Sequence, residues 1–96
     1  MPVVEHRWLE ALFSPEKAKE LKRSDKNEFL RAVAWYKTFK NELSIYGIKN
    51  DVLEEFIRSQ GDKIKVDKND LKKNLRRFRE ALYYETHIRG ACKESC

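Results

Sequence analysis

Residues 25–47 read DKNEFLRAVAWYKTFKNELSIYG, and this stretch decides the fold. Its apolar residues recur at the three- and four-residue spacing of an α-helix, and at 100° per residue they cover a sector of about 160°. A face that wide is buried against more than one neighbouring element. We therefore predict a long central helix over about residues 26–46. Its apolar positions are Phe29, Ala32, Val33, Trp35, Tyr36, Phe39, Leu43 and Tyr46.

Residues that commonly terminate helices stand at both ends of this stretch. Asp25 is followed three residues later by Glu28, which resembles a capping box. Gly47 can adopt the left-handed conformation that ends many helices, and Ile48 can supply the hydrophobic contact of that motif. The sequence thus predicts where the central helix begins and where it ends.

Similar signals predict helices on either side of the centre. Ser14 can cap a helix, and Pro15 suits the first helical position because its missing N–H would be unpaired there. Asn50 or Asp51 can cap a later helix, and Asp67 can cap the last one. The predicted segments are residues 4–13, 15–22, 51–60 and 68–89. We therefore predict an all-α fold, a compact bundle of four to five helices around the central long helix.

Length and composition limit the class of protein. A chain of 96 residues makes one domain, which we place at residues 1–90, with a short C-terminal tail at 91–96. Charged residues make up 39% and hydrophobic residues 41% of the chain, which is too apolar for a disordered chain and too polar for a membrane protein. We see no signal-peptide pattern and no apolar run near the ~20 residues that span a bilayer. We expect a cytoplasmic protein with no membrane partner.

Most of the excess positive charge lies in residues 63–79, which read KIKVDKNDLKKNLRRFR. This segment has eight Lys or Arg and two Asp, a net charge of +6, whereas the whole chain carries +5. A basic patch this localised is typical of an anion-binding surface, with nucleic acid as the first candidate.

The predicted last helix separates an apolar face from a basic face. Its apolar stripe lies within about 60° and its main cations lie in an adjacent sector of about 80°, which also contains Tyr83. Leu71, Leu75, Phe78 and Leu82 form the stripe, Lys68, Lys72, Arg76 and Arg79 form the basic sector, and Lys73 and Arg77 form a second basic line. Regularly spaced cations suit backbone phosphates, and an aromatic ring can stack on an unpaired base.

We predict a non-enzymatic nucleic-acid-binding module, or a small subunit of a nucleoprotein complex, that grips backbone phosphates. DNA and RNA both remain open. The predicted binding residues are Lys63, Lys65, Lys68, Lys72, Lys73, Arg76, Arg77, Arg79 and Tyr83. The alternative is a protein–protein adaptor or inhibitor that docks an acidic partner protein through the same helix. An oligomer or a subunit of a larger complex is compatible with either prediction.

An exposed apolar patch would favour the adaptor. Leu30 and Ile45 project outside the main apolar sector of the central helix, and with Trp35 they could form such a patch. A helix-turn-helix is a further alternative, because a helix near residues 51–60 precedes the basic one. The connector between them is longer than the usual turn of three or four residues.

Catalytic and metal-binding patterns are weak in this sequence. A nucleophilic site needs a Ser, Cys or Thr beside a His and an orienting carboxylate, and we find no such arrangement. We predict no enzyme, no cofactor and no metal. The best metal alternative is a zinc site, for which the soft ligands would be His6, His87, Cys92 and Cys96. A disulfide or two free thiols in the tail is the other reading of the cysteines.

Overall fold

The structure, a computed structural model, describes the backbone of residues 7–89 and the side chains of residues 7–87. The chain divides into two compact units, Met1–Val66 and Asp67–Cys96, and each is described by itself. The described residues form six α-helices and no strand, which confirms the all-α prediction. The single domain expected over residues 1–90 stays a prediction.

The first unit contains five helices and a short 3₁₀ turn. They are α1 (Arg7–Phe13), α2 (Pro15–Ser24), α3 (Lys26–Thr38), α4 (Lys40–Ile45), α5 (Asp51–Gln60) and the turn Gly61–Lys63. The second unit contains α6 (Lys68–Tyr83), which continues into a π-helical segment (Tyr84–Arg89). The last helical stretch therefore covers the residues predicted for it, and its final six residues are wound more loosely than an α-helix.

Hydrogen bonds at the helix ends confirm the predicted terminators. The side chain of Asp25 accepts a bond of 3.3 Å from the backbone N–H of Glu28. Gly47 has a φ of +76°, in the left-handed region. Its N–H donates to the carbonyl of Ser44, and the N–H of Ile48 donates to that of Leu43, both at 2.9 Å. These two bonds define a Schellman motif, which ends α4 where the sequence predicted it.

The helix predicted over residues 26–46 consists of two consecutive helices that meet at Phe39. The φ and ψ of this residue are −110° and 24°, which departs from helical geometry. The hydroxyl of Thr38 donates to the carbonyl of Ala34 at 2.8 Å, a side-chain bond that often bends helices. The backbone ladder nevertheless continues, because the Phe39 N–H donates to Trp35 and the Phe39 carbonyl accepts from Leu43. Because of this interruption, the described residues contain six α-helices, whereas four or five were predicted.

The core of the first unit is built on the wide apolar face of α3. This helix packs against α1, α2 and α5. The rings of Trp8 and Trp35 lie 4.9 Å apart, and Phe29 meets Phe56 edge-on at 5.0 Å between ring centroids. The buried residues of α3 are Phe29, Ala32, Val33, Ala34, Trp35 and Tyr36. The prediction that this face contacts more than one neighbour is confirmed.

A buried asparagine links three helices of this core. Asn50 is fully buried, and its Oδ1 caps α5 by accepting from the N–H of Leu53 at 3.2 Å. Its Nδ2 donates to the carbonyl of Ala11 at 2.6 Å, at the end of α1. Its backbone N–H donates to the Oη of Tyr36 at 3.0 Å, and that hydroxyl donates to Glu54 at 2.8 Å. Burial raises the pKa of Tyr36 to about 12; the Glu54 carboxylate adds to this rise and the Asn50 N–H opposes it.

Gly61 follows α5 at a position where a side chain would not fit, although its backbone is not left-handed. Its φ is −83°, but a Cβ at this position would lie 2.9 Å from Cγ2 of Ile57. Its carbonyl accepts a bond of 2.6 Å from Nζ of Lys37, which also donates to the carbonyl of Ile64 at 3.2 Å. The Lys37 side chain of α3 thereby holds the turn that follows α5 in place.

The apolar patch expected from Leu30, Ile45 and Trp35 does not form as a unit. Trp35 is fully buried and Leu30 is half-buried. Ile45 alone is strongly exposed, at 80%, and the next residue, Tyr46, is exposed as well. Within residues 7–89, no helix is both long enough and apolar enough to cross a membrane.

Candidate functional site

The six predicted cations of α6 are all exposed, and this helix forms the candidate site. Asp67 begins it by accepting a hydrogen bond of 3.1 Å from the N–H of Asn69. At a rise of 1.5 Å per residue, cations recur over about 16 Å of helix. The exposed residues are Lys68, Lys72, Lys73, Arg76, Arg77 and Arg79. We call this set the basic ladder.

The buried face of α6 differs from the predicted stripe. Phe78 and Leu82 are buried as expected, but Leu71 and Leu75 are only half-buried. Asn74 is buried in their place. Its Nδ2 donates to Asp70 at 2.7 Å, and its Oδ1 accepts from Arg77 at 3.1 Å. These bonds satisfy the amide, so a polar side chain is tolerated on the buried face.

Within the part of the chain that the structure describes, most of the basic ladder has no anionic partner. Arg76 lies 3.7 Å from Glu80, but both side chains are largely exposed, and such surface pairs contribute about 0–1 kcal/mol. Lys68, Lys72, Lys73 and Arg79 form no ion pair with any residue in the described part of the chain. The ladder therefore presents exposed cations to which an external anion can bind.

An open depression of about 480 Å³ lies along the exposed side of α6. The depression is shallow and largely open to solvent, and one face of the helix lines it. The lining residues are Leu75, Arg76, Arg79, Glu80 and Tyr83. Two cations of the ladder thus share one depression with an aromatic ring and a carboxylate.

Tyr83 and His87 form an aromatic pair at the C-terminal end of the ladder. Their rings are stacked, with centroids 4.3 Å apart and planes inclined by 13°. Tyr83 is nevertheless 59% exposed. The hydroxyl of Thr86, between the two residues in the chain, donates to the carbonyl of Leu82 at 2.9 Å. An exposed ring therefore follows the cations directly.

The structure does not bring all the predicted site residues into one described unit. Seven of them lie on α6, including Tyr83, whereas Lys63 and Lys65 are exposed in the unit Met1–Val66. Leu75 and Glu80 line the depression and were not predicted as site residues. Leu75 was assigned to the core from its apolar spacing. Glu80 could have been found from its position four residues after Arg76, where side chains on a helix are neighbours.

The groups that line the depression can contact an anion and a flat ring. Cations, an aromatic ring and one carboxylate face the depression. Among the described residues, no group of three or more His, Cys, Asp or Glu is placed to hold a metal ion. The zinc alternative depends on His6, Cys92 and Cys96, which lie outside the described residues, as does the tail disulfide.

Comparisons with protein-family models, curated proteins and solved structures found no match. The charge and geometry of α6 therefore carry the functional inference. Seven residues separate α5 from α6, which is longer than the three- to four-residue turn of a helix-turn-helix. This spacing disfavours a helix-turn-helix and the sequence-specific contacts with base edges that such a motif makes.

Proposed function

We propose that this protein binds nucleic acid through backbone phosphates, without catalysis, as a module or as a small subunit of a nucleoprotein complex. The observation that carries the proposal is the basic ladder. Lys68–Tyr83 contains six Lys or Arg and two acidic residues, and four of the six cations have no ion-pair partner in the described part of the chain. We keep the cytoplasm as the proposed compartment, on composition alone.

Phosphates would give partners to the cations that have none among residues 7–87. Each cation that neutralises a phosphate releases a condensed counterion, and this release favours binding at moderate salt. Six contacts would give a slope of log affinity against log salt of about −4 for a single strand and about −5 for a duplex. Lys63 and Lys65 are exposed and could add to the number of contacts.

An acidic protein partner is the second candidate. The exposed Ile45 and Tyr46 favour it, because protein interfaces combine apolar and charged contacts. An adaptor of this kind would bind DNA and RNA weakly, and replacing Ile45 by Ser would weaken its complex. A nucleic-acid complex would be insensitive to that change.

Charge reversal on the ladder tests the first proposal. We expect the double variant Arg76→Glu/Arg79→Glu to lose measurable binding to labelled DNA and RNA, because two attractive contacts become repulsive. The matched control is Lys19→Glu/Arg23→Glu, which makes the same charge change at two exposed positions of α2. Circular dichroism should show that both variants remain helical.

The control decides between a local and a general charge effect. If the protein uses the ladder, the α2 variant should retain most of its affinity at moderate salt. Equal losses in the two variants would mean that net charge alone attracts the nucleic acid. Unchanged affinity in a folded α6 variant would rule out the ladder as the binding surface.

A further inference from the structure

The depression on α6 combines three features that phosphate binding alone does not require. Tyr83 offers an exposed aromatic ring, Leu75 offers an apolar wall, and Glu80 offers a carboxylate. Arg76 and Arg79 line the same depression. A site for phosphates needs only the two cations, so the apolar and aromatic lining calls for a different part of the ligand.

The ring of Tyr83 is held rather than loose. His87 stacks against it at 4.3 Å between centroids, and the two rings are nearly parallel. A ring fixed in this way loses little conformational entropy when a second flat group stacks on it. The half-exposed ring of Tyr83 is therefore prepared to receive a planar ligand.

A nucleobase is the planar group that a phosphate-bound strand brings with it. Base–aromatic stacking tolerates any sequence, because every base has a π face. In a duplex the bases are stacked on each other and their faces are closed to a side chain. An unpaired base has a free face. Its edge also carries N–H groups that can donate hydrogen bonds to a carboxylate.

We infer that the depression holds one unpaired base of a single-stranded nucleic acid, stacked on Tyr83, while Arg76 and Arg79 contact the adjoining phosphates. This inference rests on the proposed phosphate binding and adds the class of strand. Charge complementarity between the ladder and a polyanion selects this occupant over a neutral apolar ligand.

An abasic strand separates the base from the phosphate. We would compare a labelled poly-thymidine strand with a strand of the same length and phosphate number that lacks its bases, and with a duplex. The wild-type protein should bind the poly-thymidine strand more tightly than the abasic strand by roughly 5- to 150-fold, the range reported for one stacked base.

Replacement of Tyr83 sharpens the same experiment. Tyr83→Ala should reduce the affinity for poly-thymidine to that of the abasic strand and leave the abasic strand unaffected. Tyr83→Phe keeps the ring and should bind like the wild type. The matched control is Tyr84→Ala, which removes the next tyrosine, half-exposed but outside the depression; it should leave both affinities unchanged.

The failures of the two proposals differ in this test. If the wild type binds the base-bearing and abasic strands equally and salt weakens both, phosphate binding stands and the base site is wrong. A duplex bound more tightly than the single strand would also overturn the base site. If no nucleic acid binds at low salt, both proposals fail together.

Discussion

Residues 1–62 and helix α6 differ in their balance of basic and acidic residues. The first region contains 11 Lys or Arg and 11 Asp or Glu, so its charges balance. Helix α6 contains six Lys or Arg and two acidic residues. In the first region, polar groups such as Asn50 and Lys37 form hydrogen bonds within the chain. The first region thus balances its charges within itself, whereas the excess cations of α6 are the basis of the proposed anion binding.

Solubility alone would not require this imbalance. A helix that needs only a hydrated face commonly places an acid four residues from a base, as in the pair Arg76–Glu80. Lys68 and Lys72 are followed at that distance by Lys72 and Arg76, so like charges are neighbours along the ladder. Such repulsion costs the isolated helix about 0.2–0.5 kcal/mol per pair. An anionic partner would remove that cost.

The two regions should differ most in how much stability is lost when an aromatic ring is removed. Phe29→Ala should lower the free energy of unfolding by about 3–5 kcal/mol, since it empties a fully buried position that contacts Phe56. Tyr83→Ala should change it by less than about 0.5 kcal/mol, since surface positions contribute little. Urea denaturation of both variants measures these values. Similar losses would contradict the assignment of stability to the first region.

A smaller loss is expected where one polar side chain joins several elements. Asn50→Ala removes the cap of α5 and leaves the carbonyl of Ala11 without its buried donor. We expect a loss of about 2–4 kcal/mol of unfolding free energy. Asn41→Ala, at an exposed position of α4, is the control and should be nearly neutral. If both variants unfold at the same urea concentration, the network does not contribute to stability.

The smallest effect should come from alkaline pH. Because the pKa of Tyr36 is raised from 10 to about 12, the fold favours the neutral phenol. The resulting stability is present in full below pH 10 and is lost as the pH rises toward 12, by roughly 2 kcal/mol. The gap in unfolding free energy between the wild type and Tyr36→Phe should narrow across that interval. A gap that stays constant with pH would mean that Tyr36 titrates alike in both states.

The sequence predicted the helix ends well, because they depend on local chemistry. Asp25, Asn50 and Asp67 act through bonds to residues two or three positions away, and the left-handed φ of Gly47 is a property of glycine itself. The wide buried face of α3 was predicted for a similar reason. Its apolar residues follow the helical period closely, so burial could be read from spacing.

Features that depend on tertiary partners were not predictable in this way. Nothing in the sequence marks Phe39 as an interruption, since neither a proline nor a glycine lies near it. The bonds from Asn74 to Asp70 and Arg77 follow helical spacing, but the burial of Asn74 was not predictable from its polar side chain. The depression on α6 was not predicted, because the spacing of Leu75 assigned this residue to the apolar stripe and not to an exposed surface.

The salt dependence of binding tests the role of the ladder most directly. Fluorescence anisotropy with labelled single- and double-stranded DNA and RNA, over a salt series, should give a linear decrease of log affinity with log salt. We expect a slope of about −4 to −5, which Lys72→Gln should reduce in magnitude by about 0.7–0.9. Lys40→Gln, an exposed change in α4, should leave it unaltered. A slope near zero, or no binding even at low salt, would contradict phosphate binding by α6.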